Sequence, residues 1–333
     1  MKLLRVSLTC AGLLLALSLQ ASTTRVYITN AAGDSVHVID PVTNKVIEEI
    51  KGCEIPSGVD FSPDGKRVYL DCEGDQTLIT LDQKSSKIVG RVQLSGRPNS
   101  ISITHDGKLM FIAIQLPGAV DIVDLSAMKL LKTIKAKGGV HYAYLTPDGK
   151  YAAATMPRER IMMLIDVKTL EPAGEFNFGG QLRPVAFEKG ADGSTSRVFA
   201  QVGGLHGFEV YDFKSRKLLQ IVKMPNEPIS LYGAEAGTAG HGIAVAPDNK
   251  TLWVNSTVAG AVFAYSLPDL KLLGHTVTGD VPDWITFTPD SKVIYVSVAG
   301  ENLVCAIDTK TFRELARIPV GQTPKRSGTL FIP

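Results

Sequence analysis

The sequence has few cysteines and no hydrophobic run long enough to cross a membrane. Four cysteines among 333 residues are too few to form the disulfide scaffold of a small secreted domain. Asp, Lys or Gly interrupts every apolar stretch before it reaches the roughly 20 residues that span a bilayer. The sequence therefore predicts a large hydrophobic core without a membrane span.

The chain also lacks an excess of one charge. It carries 35 basic and 33 acidic residues, and removal of Lys2 and Arg5 would leave 33 of each. Nucleic-acid binding usually requires a basic surface. Nucleic acid is therefore not the expected partner, although a local basic patch is compatible with a neutral total and keeps this alternative open.

The first 23 residues have the pattern of a secretory signal peptide. Lys2 and Arg5 precede an apolar run that includes residues 13–17, and small and polar residues follow at 21–24. This order is typical of a cleaved export signal. We expect residues 1–23 to be removed, residues 24–333 to form one domain, and the mature protein to be periplasmic or secreted.

A repeat of about 42 residues organises the mature chain. An aromatic-bearing β pair recurs at steps of 42, 42, 42, 46, 54 and 42 residues, with one degenerate copy; the pairs begin at Val26, Val68, Met110, Ala152, Val198, Leu252 and Ile294. An aspartate that closes an apolar strand keeps the same register in six copies, at Asp40, Asp82, Asp124, Asp166, Asp212 and Asp308. Two independent markers in one register indicate seven structural repeats.

Each repeat contains four short strand patterns bounded by turn residues. Four strands in about 42 residues make one propeller blade, and blades must stack in a ring to bury both faces. The first repeat lacks its innermost strand, and residues 326–332 lie where that strand is due. We therefore predict an all-β, seven-bladed propeller of four-stranded blades, whose ring is closed when the C-terminal strand joins the N-terminal blade.

The run Val26-Tyr27-Ile28-Thr29-Asn30, followed by Val38-Ile39-Asp40 and later by Pro63-Asp64-Gly65-Lys66, resembles the YVTN-repeat propellers, the YncE-like proteins of bacteria and archaea. The resemblance covers nearly all of the mature chain. It implies the propeller fold. It does not imply one function, because related propellers serve as binding proteins, surface-layer components, lactonases, amine dehydrogenase subunits and haem d1 domains.

Candidate binding residues come from the start of each innermost strand, six positions before the hairpin turn. Counting back gives Ser57, Asn99, His141, Arg183, His241 and Asp283, and the closing strand adds Lys325. Neither the turns nor the core requires this polar set. Loops and strand ends on a rigid scaffold often carry function. We expect this set to hold a small polar ligand or a loop of a partner protein, with Arg183 and Lys325 meeting acidic groups and Asp283 orienting them. The alternative is that a wet channel simply tolerates polar residues.

The 54-residue step contains an insertion over residues 224–240, directly before an innermost strand. Long loops in compact domains are often binding loops or lids. The insertion adds Tyr232 and Glu235 to the candidate ligand-binding residues. Disordered filler is the alternative.

Three cysteines remain after the predicted cleavage. Pairing Ser62 with Arg67 through the hairpin brings Ser57 opposite Cys72, and a short bend places Cys53 nearby. We predict a Cys53–Cys72 disulfide beside the channel mouth. Cys305 lies in a buried-strand pattern and is predicted to be a free core thiol.

No motif identifies a catalytic site or a cofactor. His141, His241 and Asp283 have the chemistry of metal ligands, but no HExxH or CxxC spacing supports a metal site. Haem is disfavoured because the sequence contains no Cys-x-x-Cys-His and no cytochrome domain. No Gly-x-Ser-x-Gly is present. No cofactor is predicted, and a divalent metal at the three residues stays an alternative.

The sequence-based hypothesis is an exported, monomeric binding or scaffold protein. The alternative from a different class is an enzyme, a lactonase or metal-assisted hydrolase, in which His141 or His241 acts as base or ligand. Nucleic-acid binding is the third hypothesis.

Overall fold

The computed structural model describes residues 23–225 and 239–332. These residues form strands, turns and bends, and none of them lies in a helix. Accordingly, no helix within the described ranges is long and apolar enough to cross a membrane.

The described part of the chain forms 28 strands. Strands β1 to β9 are Thr23–Asn30, Ser35–Asp40, Lys45–Lys51, Pro56–Phe61, Arg67–Cys72, Thr77–Asp82, Ile88–Gln93, Arg97–Ile103 and Leu109–Leu116. Strands β10 to β19 are Ala119–Asp124, Lys129–Lys135, Tyr142–Leu145, Tyr151–Met156, Ile161–Asp166, Pro172–Asn177, Leu182–Lys189, Thr195–Val202, Gly207–Asp212 and Leu218–Lys223. Strands β20 to β28 are Ile243–Val245, Thr251–Ser256, Ala261–Ser266, Leu272–Val277, Pro282–Phe287, Val293–Val298, Leu303–Asp308, Glu314–Pro319 and Pro324–Ile332.

The strands form seven four-stranded antiparallel sheets, which are the seven blades predicted from the repeat. Blades 2 to 7 each use four consecutive strands, from β4–β7 to β24–β27. The first strands of neighbouring blades contact one another around the axis, as β4 does β8 and β24 does β28. These first strands therefore surround the central channel.

Blade 1 takes its innermost strand from the C-terminus. Strand β28 pairs with β1 antiparallel, from Thr23 opposite Ile332 to Asn30 opposite Pro324. The order in this blade is β28-β1-β2-β3. The structure confirms the predicted closure of the ring by the C-terminal strand.

The hairpin turns explain why the repeat could be found in the sequence. The residue after each turn aspartate has a positive φ of 58–71° in five blades, at Gly65, Gly107, Gly149, Asn249 and Ser291. In the second blade the Asp64 carboxylate accepts hydrogen bonds from the Ser62 hydroxyl at 2.7 Å and the Lys66 N–H at 3.1 Å. Asp and Gly form the turn in this way, so these aspartates are structural.

Hydrophobic side chains fill the space between each pair of neighbouring blades. Between blades 1 and 2, for example, Tyr27 and Val38 pack with Leu70 and Leu81. Equivalent clusters occupy the other six blade interfaces. The core is thus a ring around the channel, and the polar residues at the mouth lie inside that ring.

Candidate functional site

The residues predicted to form one ring at the channel mouth fall into separate groups. Ser57 and Asn99 are buried, and the Ser57 hydroxyl donates to the Asn99 carbonyl oxygen at 2.7 Å. His241 pairs with Asp283. His141 and Arg183 line one cleft. Lys325 reaches Glu73 instead of facing open solvent.

An arginine contacts two aromatic rings that stack on each other, with ring centroids 5.8 Å apart. The Arg326 guanidinium carbon lies 4.6 Å from the ring centroid of Tyr142 and 4.4 Å from that of Trp284. Because these residues come from blades 1, 4 and 7, they can meet only at the axis. Cation–π contacts are strongest when they are desolvated, and Arg326 is only 3% exposed. We call Arg326, Tyr142 and Trp284 the axial stack.

Hydrogen bonds hold the axial stack to blade 3. The Arg326 Nη2 group donates to Asn99 Oδ1 at 2.7 Å, and Nε donates to the Asn99 carbonyl oxygen at 3.1 Å. Arg326 Nη1 is buried and has no hydrogen-bond partner among the described residues. The hydrogen bonds and ring contacts therefore make Arg326 a structural cation.

A second group links blades 6, 7 and 4. The Nδ1 atom of His241 is hydrogen-bonded to Asp283 Oδ1, and Nε2 lies 3.0 Å from the Tyr142 hydroxyl. Burial raises the pKa of Tyr142 above its usual range, so the hydroxyl remains protonated. Both ring nitrogens of His241 are thus occupied, which leaves neither for a metal ion.

A third group surrounds Glu73, whose side chain is fully buried. Arg97 Nε donates to Glu73 Oε2 at 2.9 Å, Asn99 Nδ2 donates to Oε1 at 3.2 Å, and Lys325 Nζ also donates to Oε1. Burial would raise the pKa of Glu73, but Lys325 and Arg97 outweigh it and hold the pKa below its usual value. This carboxylate therefore neutralises Lys325, which was expected to face a ligand.

The Cys53–Cys72 disulfide is present in the structure, with a Cα–Cα distance of 5.2 Å. It holds the segment before β4 against the residue that follows Cys72, since the Glu73 N–H donates to the Ile55 carbonyl oxygen at 3.0 Å. The disulfide thereby fixes the backbone on which Glu73 stands. Cys305 is a free, fully buried thiol.

A cleft of about 480 Å³ opens beside the axis between blades 3, 4 and 5. We call it the blade 3–5 cleft. Its lining is largely polar and includes Arg97, Gln115, His141, Arg158, Glu159 and Arg183. Small-molecule sites commonly have volumes of roughly 300–1,000 Å³, so the cleft is large enough for a small ligand.

Arg183 and the exposed Arg158 are the two arginines of this cleft without an ion pair to a described residue, and Arg183 is the more buried of them. It extends from β16, its Nε atom is buried without a hydrogen-bond partner, and it forms no ion pair within the described ranges. A buried donor without a partner is costly. The guanidinium is therefore the group best placed to bind an anion that enters the cleft.

His141 lies beside Arg183 as a neutral group. Burial is the main cause that holds the pKa of His141 well below its usual value, and the charges of Arg326, His241, Lys325 and Arg183 add to it. Its Nδ1 lies 3.5 Å from Gln115 Nε2. A neutral imidazole can donate or accept a hydrogen bond without adding charge to the cleft.

The sequence analysis missed Tyr142, Trp284, Arg326, Glu73 and Glu159. The first three directly follow His141, Asp283 and Lys325, which were predicted as site residues. The signal that could have found them is the position next to each predicted residue at the start of an innermost strand. Glu73 and Glu159 follow second strands, β5 and β13, which the counting did not cover. Their signal was an acidic residue within three positions of the end of a buried strand.

Two other predicted features have different outcomes. Tyr232 and Glu235, with most of the inserted loop, lie outside the described residues. For the metal alternative, residues 23–225 and 239–332 contain no group of three or more His, Cys, Asp or Glu side chains that could hold a metal ion. His241 and Asp283 meet as a hydrogen-bonded pair instead.

The sequence is similar to the Cytochrome D1 heme domain family over residues 23–143. The match covers less than half of the chain and corresponds to blades 1–3 and the start of blade 4. No curated protein sequence is significantly similar to this chain.

Several solved structures share the fold. A functionally unknown protein from Desulfotomaculum acetoxidans has a TM-score of 0.76 at 11% identity, covering 92% of this chain and 98% of that one. A putative 6-phosphogluconolactonase from Bacteroides fragilis has a TM-score of 0.73 at 18% identity, covering 94% and 99%. The dihydro-heme d1 dehydrogenase NirN in complex with DHE has a TM-score of 0.63 at 16% identity, covering 91% and 74%. These similarities define the class, a seven-bladed β-propeller.

The family match raises the question of haem, and the described residues do not fit one at the axis. The axial stack lies at the axis, where a planar macrocycle would have to break the contacts of Arg326 with Tyr142 and Trp284. Both nitrogens of His241 are already hydrogen-bonded. The described residues at the axis therefore offer neither the space nor a free His241 nitrogen for a haem.

Proposed function

We propose that this propeller is a binding protein that holds a small anionic ligand, a carboxylate or a phosphate, in the blade 3–5 cleft. The observation that carries the proposal is the Arg183 guanidinium, which lines a cleft of small-molecule size and forms no ion pair within residues 23–225 and 239–332. Guanidinium groups bind carboxylates and phosphates through paired, charge-assisted hydrogen bonds.

The pairing of the other cations supports this role for Arg183. Arg326 is held by Asn99 and two rings, and Lys325 and Arg97 share Glu73. Arg158 lies exposed at the rim of the cleft. An anion that enters the cleft would therefore meet the half-buried Arg183, the exposed Arg158 and the neutral His141.

A titration experiment tests the proposal. Isothermal calorimetry of residues 24–333 with acetate, succinate and inorganic phosphate should detect binding of at least one anion. Arg183→Gln should weaken that binding by about tenfold or more, because a hydrogen bond to a charged group contributes roughly 1.5–3 kcal/mol. Arg313→Gln is the matched control, since Arg313 is exposed on blade 7. Unchanged affinity in Arg183→Gln, or no binding of any anion, would contradict the proposal.

We also propose that the protein is an exported member of the YVTN-repeat propellers, in keeping with its N-terminal pattern and its repeats. A monomer without a membrane span that does not bind nucleic acid is part of the same proposal. Size-exclusion chromatography of the exported protein, and detection of the chain in the periplasm or medium after expression, would test these expectations.

A further inference from the structure

The blade 3–5 cleft is lined by a carboxylate, Glu159, as well as by the Arg183 guanidinium, and neither forms an ion pair with a residue that the structure describes. Glu159 lies between β13 and β14, and its side chain lines the cleft. One carboxylate oxygen, Oε2, is buried and accepts no hydrogen bond, and the side chain forms no ion pair with any residue that the structure describes. Buried carboxylates normally have a partner. An anionic ligand would not supply a hydrogen-bond donor to the Glu159 carboxylate.

The backbone beside Glu159 makes room for its carboxylate. A Cβ atom added at Gly138 would collide with the Glu159 carboxylate oxygens and carbon. The space that the carboxylate fills is therefore created by the absence of a side chain at position 138. The neighbouring Gly139 forms part of the cleft wall and lies directly against the Gln115 carbonyl oxygen.

Glu159 and Arg183 line the same cleft without pairing with each other. They stand on different blades, 4 and 5, and neither has a salt bridge in the described part of the chain. Opposite charges that face one cavity but do not meet can both be satisfied by a molecule that carries both charges. A simple anion would satisfy Arg183 and leave the Glu159 oxygen unpaired.

We propose that the ligand of the blade 3–5 cleft is an amino carboxylate, whose carboxylate binds Arg183 and whose ammonium group binds Glu159. This inference deepens the proposed function and rests on it. An ammonium group supplies three donors and no acceptor, so it can donate to the Glu159 carboxylate, which lines the cleft. It also matches the charge of the acid.

Paired ligands separate the contribution of the ammonium from that of the carboxylate. The probes are glycine, β-alanine, 4-aminobutyrate and 5-aminopentanoate, each titrated beside acetate, propionate, butyrate or pentanoate of the same chain length. We expect at least one amino carboxylate to bind about tenfold or more tightly than its unsubstituted partner. Glu159→Gln should abolish that difference while the affinity for the plain carboxylate stays the same or rises.

Two further variants make the test specific. Gly138→Ala displaces the Glu159 carboxylate and keeps its charge, so it should reduce the preference for the amino carboxylate as well. Glu48→Gln, an exposed glutamate on blade 1, is the control and should leave the preference unchanged. Equal thermal unfolding midpoints would show that the variants are folded.

The outcomes distinguish this inference from the proposed function. Plain carboxylates that bind through Arg183 as tightly as their amino partners would overturn the amino-carboxylate inference and leave the anion site intact. Succinate that binds more tightly than every amino carboxylate would overturn it too, because a second cation would then be recognising the ligand. Failure of every probe would overturn both proposals.

Discussion

Asp71 is a carboxyl group buried directly beneath the mouth. It is 0% exposed, one oxygen accepts the Gly58 N–H, and the other has no partner within the described ranges. Burial raises the pKa of Asp71 to about 6, although Arg326 acts in the opposite direction. The folded state therefore retains this proton at a pH where the unfolded chain has lost it.

The raised pKa of Asp71 predicts that the free energy of unfolding depends on pH. Because the folded pKa lies above the unfolded value, the contribution of Asp71 is fully present below about pH 4 and is lost as the pH rises to about 6, by up to about 3 kcal/mol. Urea unfolding of the wild type and Asp71→Asn, measured from pH 4 to 8, should show this loss in their difference. A difference that is constant with pH would contradict the assignment.

Substitution of Arg326 tests how much the axial stack contributes to the free energy of unfolding. Arg326→Lys loses the planar group that contacts two rings and donates twice to Asn99. We expect the free energy of unfolding to fall by about 2–4 kcal/mol, measured by chemical denaturation. Arg313→Lys on the exposed surface should change it by less than about 0.5 kcal/mol. Equal stabilities of the two variants would refute a structural role for the stack.

At the scale of single residues, the sequence predicts where a side chain lies along its strand but not which side chain it contacts. Counting from the turns located His141, Arg183 and His241 at the starts of innermost strands, because the hairpin register is regular. It could not show that Glu73 neutralises Lys325 or that Arg326 crosses the axis. Those pairings join distant blades, and only the closed ring brings them together.

At the scale of the element, the closing strand determines whether blade 1 exists as a complete sheet. Strand β28 pairs along the whole of β1 and places Leu330, 2% exposed, in the core between blades 1 and 2. It also carries Lys325 and Arg326. The C-terminal strand is therefore part of both the core and the mouth.

A chain that ends at Thr323 should not fold cooperatively. It would leave β1 as an open edge, which favours association with other chains, and would remove Arg326 from the axial stack. We expect a loss of the thermal unfolding transition seen by circular dichroism. A chain that ends at Ile332 keeps β28 and is the control. An unchanged midpoint in the shorter chain would contradict ring closure by β28.

Elements were more predictable than side-chain contacts. The positive φ at Gly65 and Asn249 follows from local turn chemistry that is visible in the sequence. The closure by β28 followed from a missing strand in the first repeat. The blade 3–5 cleft was not predictable in this way, because its walls come from three blades and from turns between second and third strands.

At the scale of the whole molecule, the near-zero net charge does not mean that the mouth lacks charged residues. Several of the charged side chains there are paired with a side chain of opposite charge. Glu73 offsets Lys325 and Arg97, and Asp283 accompanies His241. Arg183 and Glu159 stand apart from this pairing. A near-neutral chain can therefore still present a site of defined charge.

The measurement that tests this account most directly is a crystal structure of the protein with the tightest-binding carboxylate from the calorimetric series. The account predicts the carboxylate in the blade 3–5 cleft, within hydrogen-bond distance of the Arg183 guanidinium. A carboxylate bound elsewhere, with Arg183 still unpaired, would contradict it.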